Sequence, residues 1–218
     1  MALAIFDLDN TLIGGDSDHA WGEFLVEQGI VDGAAYKRAN DKFYQDYLAG
    51  SLDIHEYLAF ALQPLADHPP EQLNAWRIGF FEQKIAPLIL PKAKALVEQH
   101  RDRGDILLII TATNQFVTEP IADAFGIDHL IATVPEQQND RYTGRVAGVP
   151  SFKDGKITRL EQWLADHPYS LDGATFYSDS HNDIPLLERV DYPVAVDPDE
   201  TLRTVSEQNH WPILSLRD

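Results

Sequence analysis

Short apolar runs alternating with amphipathic stretches constrain this chain more than any other feature. The runs are "ALAIF" (2–6), "ILLII" (106–110), "HLIATV" (129–134), "ATFYS" (174–178) and "YPVAV" (192–196). Between them lie helical patterns such as "AKALVEQHRDRG", with Gly104 placed as a stop, and "GKITRLEQWLADH", which ends before Pro168. Strands that are apolar on both faces, separated by helices, predict a parallel sheet covered on both sides. The fold class is therefore α/β, a doubly wound, Rossmann-like parallel sheet. In such sheets ligands bind outside the carboxyl ends of the strands.

Polar residues are expected at that edge. The first run ends in Asp7 and Asp9, two carboxylates one residue apart, followed by Asn10 and Thr11. Like charges this close need a cation, a shared proton or a ligand to offset their repulsion. "ILLIITATN" delivers Thr111, "ATFYSDSHND" delivers Asp179 and Asp183, and "FKDGKITRL" supplies a lysine. Carboxylates converging without cysteine or a spaced histidine pair form a hard, oxygen-rich site suited to Mg²⁺. Thr111, Lys156 and backbone N–H groups after the first strand would bind phosphate oxygens. "DSHND" mimics the start of a calcium loop, but Ile184 stands at the glycine position and Val190 at the last ligand position, which excludes it.

Residues 15–86 interrupt the alternation. "IHEYLAFALQPL" (54–65) has its apolar residues at helical spacing, and "WGEFL" and "LNAWRIGFF" repeat the pattern less cleanly. An insertion of about 70 residues is too long for a loop and must fold on itself. The expectation is an all-helical cap over residues 15–86, set like a lid on a core made of 1–14 and 87–218. "QNDRYTGRVAG" (138–148) reads as a hairpin turning around Tyr142 to Gly144.

Composition narrows the partners. The formal charge of −18 argues against nucleic acid and anionic membrane surfaces. The absence of cysteine excludes disulfides and thiolate zinc sites, and no apolar run approaches the roughly 20 residues of a membrane span. With Asp7 and Asp9 interrupting any signal-like apolar stretch, a cytoplasmic location is expected.

"DLDNTL" resembles the D-x-D-x-T signature of the haloacid dehalogenase superfamily. Thr111 in "IITAT", Lys156 in "DGKITRL" and the acidic pair Asp179 and Asp183 in "SDSHND" follow in the family's order. A helical cap between the first two motifs is similar to the phosphoserine-phosphatase-like subfamily. The resemblance implies a Mg²⁺-dependent phosphatase acting on a small phosphorylated metabolite. It assigns Asp7 as nucleophile and Asp9 as acid and base. It gives Thr111, Lys156 and Asn182 the phosphate, and the metal to the Asp7, Asp9, Asp179 and Asp183 group, with Asp9 contributing its carbonyl and Asp183 ordering its surroundings. Lys156 is favoured over Lys153 because "GK" directly precedes the apolar helix.

By the same resemblance, Asp16 in "GGDSDHAW" falls where phosphoserine phosphatases carry an acidic reader of the substrate amine, one methylene shorter than the usual glutamate. An equally good reading makes it a helix N-cap. The cap arginine that would hold a substrate carboxylate is missing, with Ala61 at the expected place. Arg38 and Arg77 are the other candidates for that task. An amine reader without a carboxylate reader implies an amino-alcohol phosphate such as histidinol phosphate. Phosphoserine is the alternative substrate, and a phosphoacceptor or phospholigand-binding protein is the non-enzymatic alternative.

Overall fold

The structure, a computed structural model, describes residues 2–217; Met1 and Asp218, at the ends of the expected core span, lie outside the described residues. In chain order the elements begin with β1 (Leu3–Phe6) and five helices, α1 (Ser17–Glu27), α2 (Gly33–Leu48), α3 (Ile54–Ala61), α4 (Gln63–Asp67) and α5 (Pro70–Phe80). Then follow α6 (Pro91–Asp102), β2 (Ile106–Asn114), α7 (Gln115–Phe125), β3 (His129–Thr133), β4 (Pro135–Gln138) and β5 (Arg141–Val146). The chain closes with α8 (Asp154–Asp166), β6 (Thr175–Ser178), α9 (Ile184–Leu187), β7 (Tyr192–Val196), α10 (Glu200–Asn209) and β8 (Ile213–Leu214).

The main sheet has the order β3-β2-β1-β6-β7-β8, and its pairs are parallel. Every residue of β1 is buried, as its unbroken apolar run requires. Alternate side chains enter two separate cores. Ala4 and Phe6 join Val97, Ile121 and Phe125 from α6 and α7, whereas Leu3 and Ile5 join Leu160, Leu186 and Leu202 from α8, α9 and α10. Helices therefore cover both faces of the sheet. The α/β expectation holds.

Register explains why polar groups gather. Phe6 pairs with Ile109 on one side and Tyr177 on the other. Asp7 follows Phe6 by one residue, while Thr111 and Asp179 follow their partners by two, so all three emerge at one edge. β2 runs on to Asn114, with a register irregularity between Ile110 and Asn114, so Thr111 lies inside the strand and not after it.

After β1 the chain leaves the sheet and returns before α6. The two passages meet through an antiparallel bridge between Ile13 and Ile89 and a Gly14 N–H bond to the Leu88 carbonyl at 2.7 Å. Trp21 in α1 meets Phe80 in α5 edge-on at 5.1 Å and Phe116 in α7 at 5.7 Å. Such aromatic pairs contribute roughly 0.5–1.5 kcal/mol each beyond their buried area. They fasten the flanking helices of the insertion to the sheet's own helices. The continuous helix expected over 54–65 is broken at Leu62, since Pro64 has no N–H to donate and starts a new helix, α4. Phe81–Ile85 forms a π-helical turn, which apolar spacing does not disclose.

The hairpin is present but turns earlier than expected. Gln138 pairs with Arg141, so the loop residues are Asn139 and Asp140, both at positive φ (51° and 60°). Tyr142 to Gly144 lie instead on β5. A Cβ added at Gly144 would come within 3.4 Å of the Ala66 Cβ, which places the hairpin against α4.

Candidate active site

A cleft opens at the carboxyl edge of β1 and β2. Asp7, Asp9, Thr111, Thr113 and Lys156 form its floor, and Phe43, Tyr44, Tyr47, Leu52, Ile54 and Tyr57 from the helical insertion form its walls and roof. The insertion thus excludes water from the polar floor, which strengthens every electrostatic interaction there.

Asp7 is buried, with 5% exposure, and Lys156 Nζ donates to its Oδ1 at 2.8 Å. The same ammonium donates to Asp183 Oδ2 at 2.8 Å, and Ser178 Oγ donates to that oxygen at 2.7 Å. α8 carries this lysine in its first turn and buries its head between two carboxylates, which hold it protonated, well above the ordinary lysine range. Burial pushes Asp7 up to about 7, against the pull of Lys156. Lys153, the other candidate, points elsewhere: its Nζ donates to the Gly50 carbonyl at 2.9 Å.

Asp9 is held by three donors. The Ser17 N–H reaches Oδ1 at 2.6 Å, Thr113 Oγ1 reaches Oδ2 at 2.8 Å, and Thr111 Oγ1 reaches Oδ2 at 3.3 Å. Burial still raises this carboxyl to about 6, with Asp16 adding to the rise. Thr113 was not expected at the site. One strand position beyond the next residue from Thr111, it points to the same side by the two-residue repeat of a β-strand, and that period was the available signal.

Asp179 is pushed well above the carboxylate range by burial, then by the charges of Asp7 and Asp183. Thr11 Oγ1 donates to Asp179 Oδ1 at 3.1 Å and lies 3.5 Å from Asp7 Oδ2, so one hydroxyl sits between these two carboxylates. The sequence expects a metal at Asp7, the Asp9 carbonyl and Asp179, with Asp183 ordering its surroundings. All four carboxylates accept from protein donors, and among the described residues no trio of histidine, aspartate or glutamate side chains closes on one point. Asp7, buried, and the half-buried Asp179 repel each other across the Thr11 hydroxyl and offer oxygen donors only. Such a pair fits Mg²⁺, which takes few carboxylates and completes its shell with water and substrate oxygens.

Asn182 is buried with its Nδ2 on Ser180 Oγ at 3.2 Å, its Oδ1 has no partner, and it does not line the cleft. For Asp16 the structure shows the helix-cap reading and a place in the cleft wall. It caps α1, accepting the His19 N–H at 2.7 Å on Oδ1, and it also lines the cleft, where burial raises it to about 7. Ala61 is packed in the interior, and Arg77 bonds the Phe116 carbonyl and Glu119 away from the cleft. Neither Arg38 nor Arg77 lines the cleft. Asp18, Tyr57 and Asn40 do, and none was singled out from sequence. An acidic residue in a helix's first turn looks like ordinary complement to the helix dipole.

The family model described as haloacid dehalogenase-like hydrolase matches residues 4–188. The chain belongs to that family. This hydrolase is 48% identical to a histidinol-phosphatase of Neisseria meningitidis serogroup C over 99% of both chains. It is similar to the crystal structure of a protein of unknown function from Bordetella pertussis, with TM-score 0.94 and 44% identity over 99% of each chain. A substrate-bound phosphoserine phosphatase shares the fold, with TM-score 0.71 at 17% identity over 99% of this chain and 93% of the other. The hydrolase is a phosphatase, cleaving phosphoric monoesters. Among its described residues no helix is long and apolar enough to cross a membrane.

Proposed function

We propose that this hydrolase is a Mg²⁺-dependent phosphatase of a small amino-alcohol phosphate, histidinol phosphate, working through an aspartyl-phosphate on Asp7. The observation that carries the reading is the make-up of the cleft. It holds a lysine-paired nucleophile at its floor and carboxylates farther along, and no arginine lines it among the described residues. A phosphorylated amino acid would bring a carboxylate into that negative field without a bidentate partner. An amino alcohol brings only its ammonium. The name of the Neisseria relative supports the same substrate.

An Asp7 carboxylate oxygen forms a bond to phosphorus while the ester P–O bond breaks, and the departing alkoxide takes its proton from Asp9. Burial, which keeps Asp9 up at about 6, maintains a protonated fraction near neutrality for this purpose. A water then loses its proton to Asp9 as it attacks phosphorus, releasing phosphate and restoring the Asp7 carboxylate. Lys156 keeps Asp7 oriented and, with Thr111, faces the transferring oxygens. The side chains of Asp7 and Asp179 and the main-chain carbonyl of Asp9 would hold Mg²⁺, which would supply positive charge to offset the carboxylate repulsion and the charge on the phosphoryl group. The helices within 15–86 act as the cap over a core formed by 1–14 and 87–218, and Asp16 accepts from the substrate ammonium through the oxygen not bonded to His19.

The test is a change of preference. Asp16→Ala should lower the ratio of kcat/KM for histidinol phosphate to that for p-nitrophenyl phosphate by about tenfold, as loss of one charge-assisted bond predicts. A ratio unchanged by the substitution would leave Asp16 as a helix cap and nothing more.

A further inference from the structure

Four carboxylates line the cleft: Asp7, Asp9, Asp16 and Asp18. The basic side chains among the described lining residues are Lys156 and His19, and both are committed elsewhere. Lys156 is clamped between Asp7 and Asp183 at 2.8 Å each, and His19 Nε2 is 3.2 Å from Asp41 Oδ1 with its ring stacked on Tyr44. Asp16 and Asp18 therefore have no cationic partner from the protein in the cleft.

Asp16 and Asp18 lie two residues apart at the start of α1, and both line the cleft. Beyond Asp18 the wall is Tyr57, packed edge-on against Phe43 at 5.4 Å, with Ile54 and Leu52 beside them. The partners of Asp18 are neutral: the Asn114 amide reaches its Oδ1 at 3.4 Å, and the Tyr57 phenol donates to it. Two neutral donors leave acceptor capacity on a carboxylate beside aromatic side chains.

We propose that Asp18 is a specificity-determining residue, accepting the N–H of an imidazole ring that lies between Phe43, Tyr57 and the Asp18 carboxylate. This rests on the reading of the protein as a histidinol-phosphate phosphatase and deepens it. The cleft holds Asp7 on its floor and Asp16 and Asp18 among its other lining residues, with Phe43 and Tyr57 in its wall. The substrate carries phosphate, ammonium and imidazole, one group for each. A ring with a polar edge and an apolar face matches a carboxylate beside aromatic side chains.

Wild type, Asp18→Asn and Asp18→Glu would be compared on histidinol phosphate and on phosphoethanolamine, which has the same ammonium but no ring. Asp18→Asn keeps an acceptor for Asn114 and Tyr57, so the local structure is retained. Its ratio of kcat/KM between the two substrates should fall about tenfold, mainly through a higher KM for histidinol phosphate, and Asp18→Glu should recover part of the ratio. A loss shared equally by both substrates, or no loss, would make Asp18 a structural residue and overturn the proposal while leaving the function reading in place. A wild-type enzyme that does not favour histidinol phosphate over phosphoethanolamine would overturn the function reading, and the Asp18 assignment with it.

Discussion

Ser17 donates its backbone N–H to the Asp9 carboxylate at 2.6 Å, so the first turn of the helix that opens the insertion is bonded to the acid–base residue of the proposed reaction. Asp16 caps the same turn and faces the cleft. On the proposed function, substrate recognition and proton transfer share one short segment, with one end of it on each.

Replacing Asp9 by asparagine keeps an acceptor for Ser17 and removes the transferable proton. The kcat should fall by at least the ~10² typical of lost acid–base help, and stopped-flow traces should show slowed phosphate release. Breakdown of the aspartyl-phosphate at the wild-type rate would remove Asp9 from the base role.

Asp7→Asn should abolish turnover, since an amide is a poor nucleophile. Lys156 keeps its bond to Asp183 in that variant, so circular dichroism and thermal unfolding should remain cooperative. Turnover near that of the wild type would contradict the assignment.

Activity should disappear in EDTA and return with Mg²⁺, and Asp179→Ala should raise the Mg²⁺ concentration needed for half-activity by tenfold or more. Removing one of two carboxylates from a hard-cation site takes away a large part of its charge. Full activity in excess chelator would sink the metal assignment.

The sheet was legible because its strands are short apolar runs separated for the most part by helical patterns, with β3 leading instead into the β4–β5 hairpin. The clustering at its edge was legible because Asp7, Thr111 and Asp179 each sit one or two positions past a buried run. Other features had no such signature. Pro64 divides a segment whose apolar spacing is continuous, and the turn falls at Asn139–Asp140 rather than at the Tyr142–Gly144 segment that the sequence pointed to. Asp18 resembles any first-turn acid until the fold sets it against Tyr57 and Asn114. The helix α2 has a polar composition, and it supplies Phe43, Tyr44 and Tyr47 to the cleft only because the chain folds back over the sheet. Tertiary arrangement, not local pattern, creates that half of the site.

Stability of the Mg²⁺-free protein should carry the mark of Asp18. Its carboxyl is pushed up by burial from 3.8 to about 7, so between these values the folded chain keeps a proton that the unfolded chain has released. This contribution is fully present below pH ~4 and is lost as pH rises toward 7. Relative to wild type, Asp18→Asn should therefore gain stability as pH rises from 5 to 7.5, by about 1 kcal/mol or more in urea unfolding. A difference between the two proteins that stays constant over that range would show that Asp18 is ionised throughout.

The most direct measurement is kcat/KM of the wild-type enzyme with Mg²⁺ for histidinol phosphate and for phosphoserine. A cleft with carboxylates for cations, and with no arginine among its described lining residues, predicts at least about a tenfold advantage for histidinol phosphate. Equal or faster turnover of phosphoserine would contradict the account.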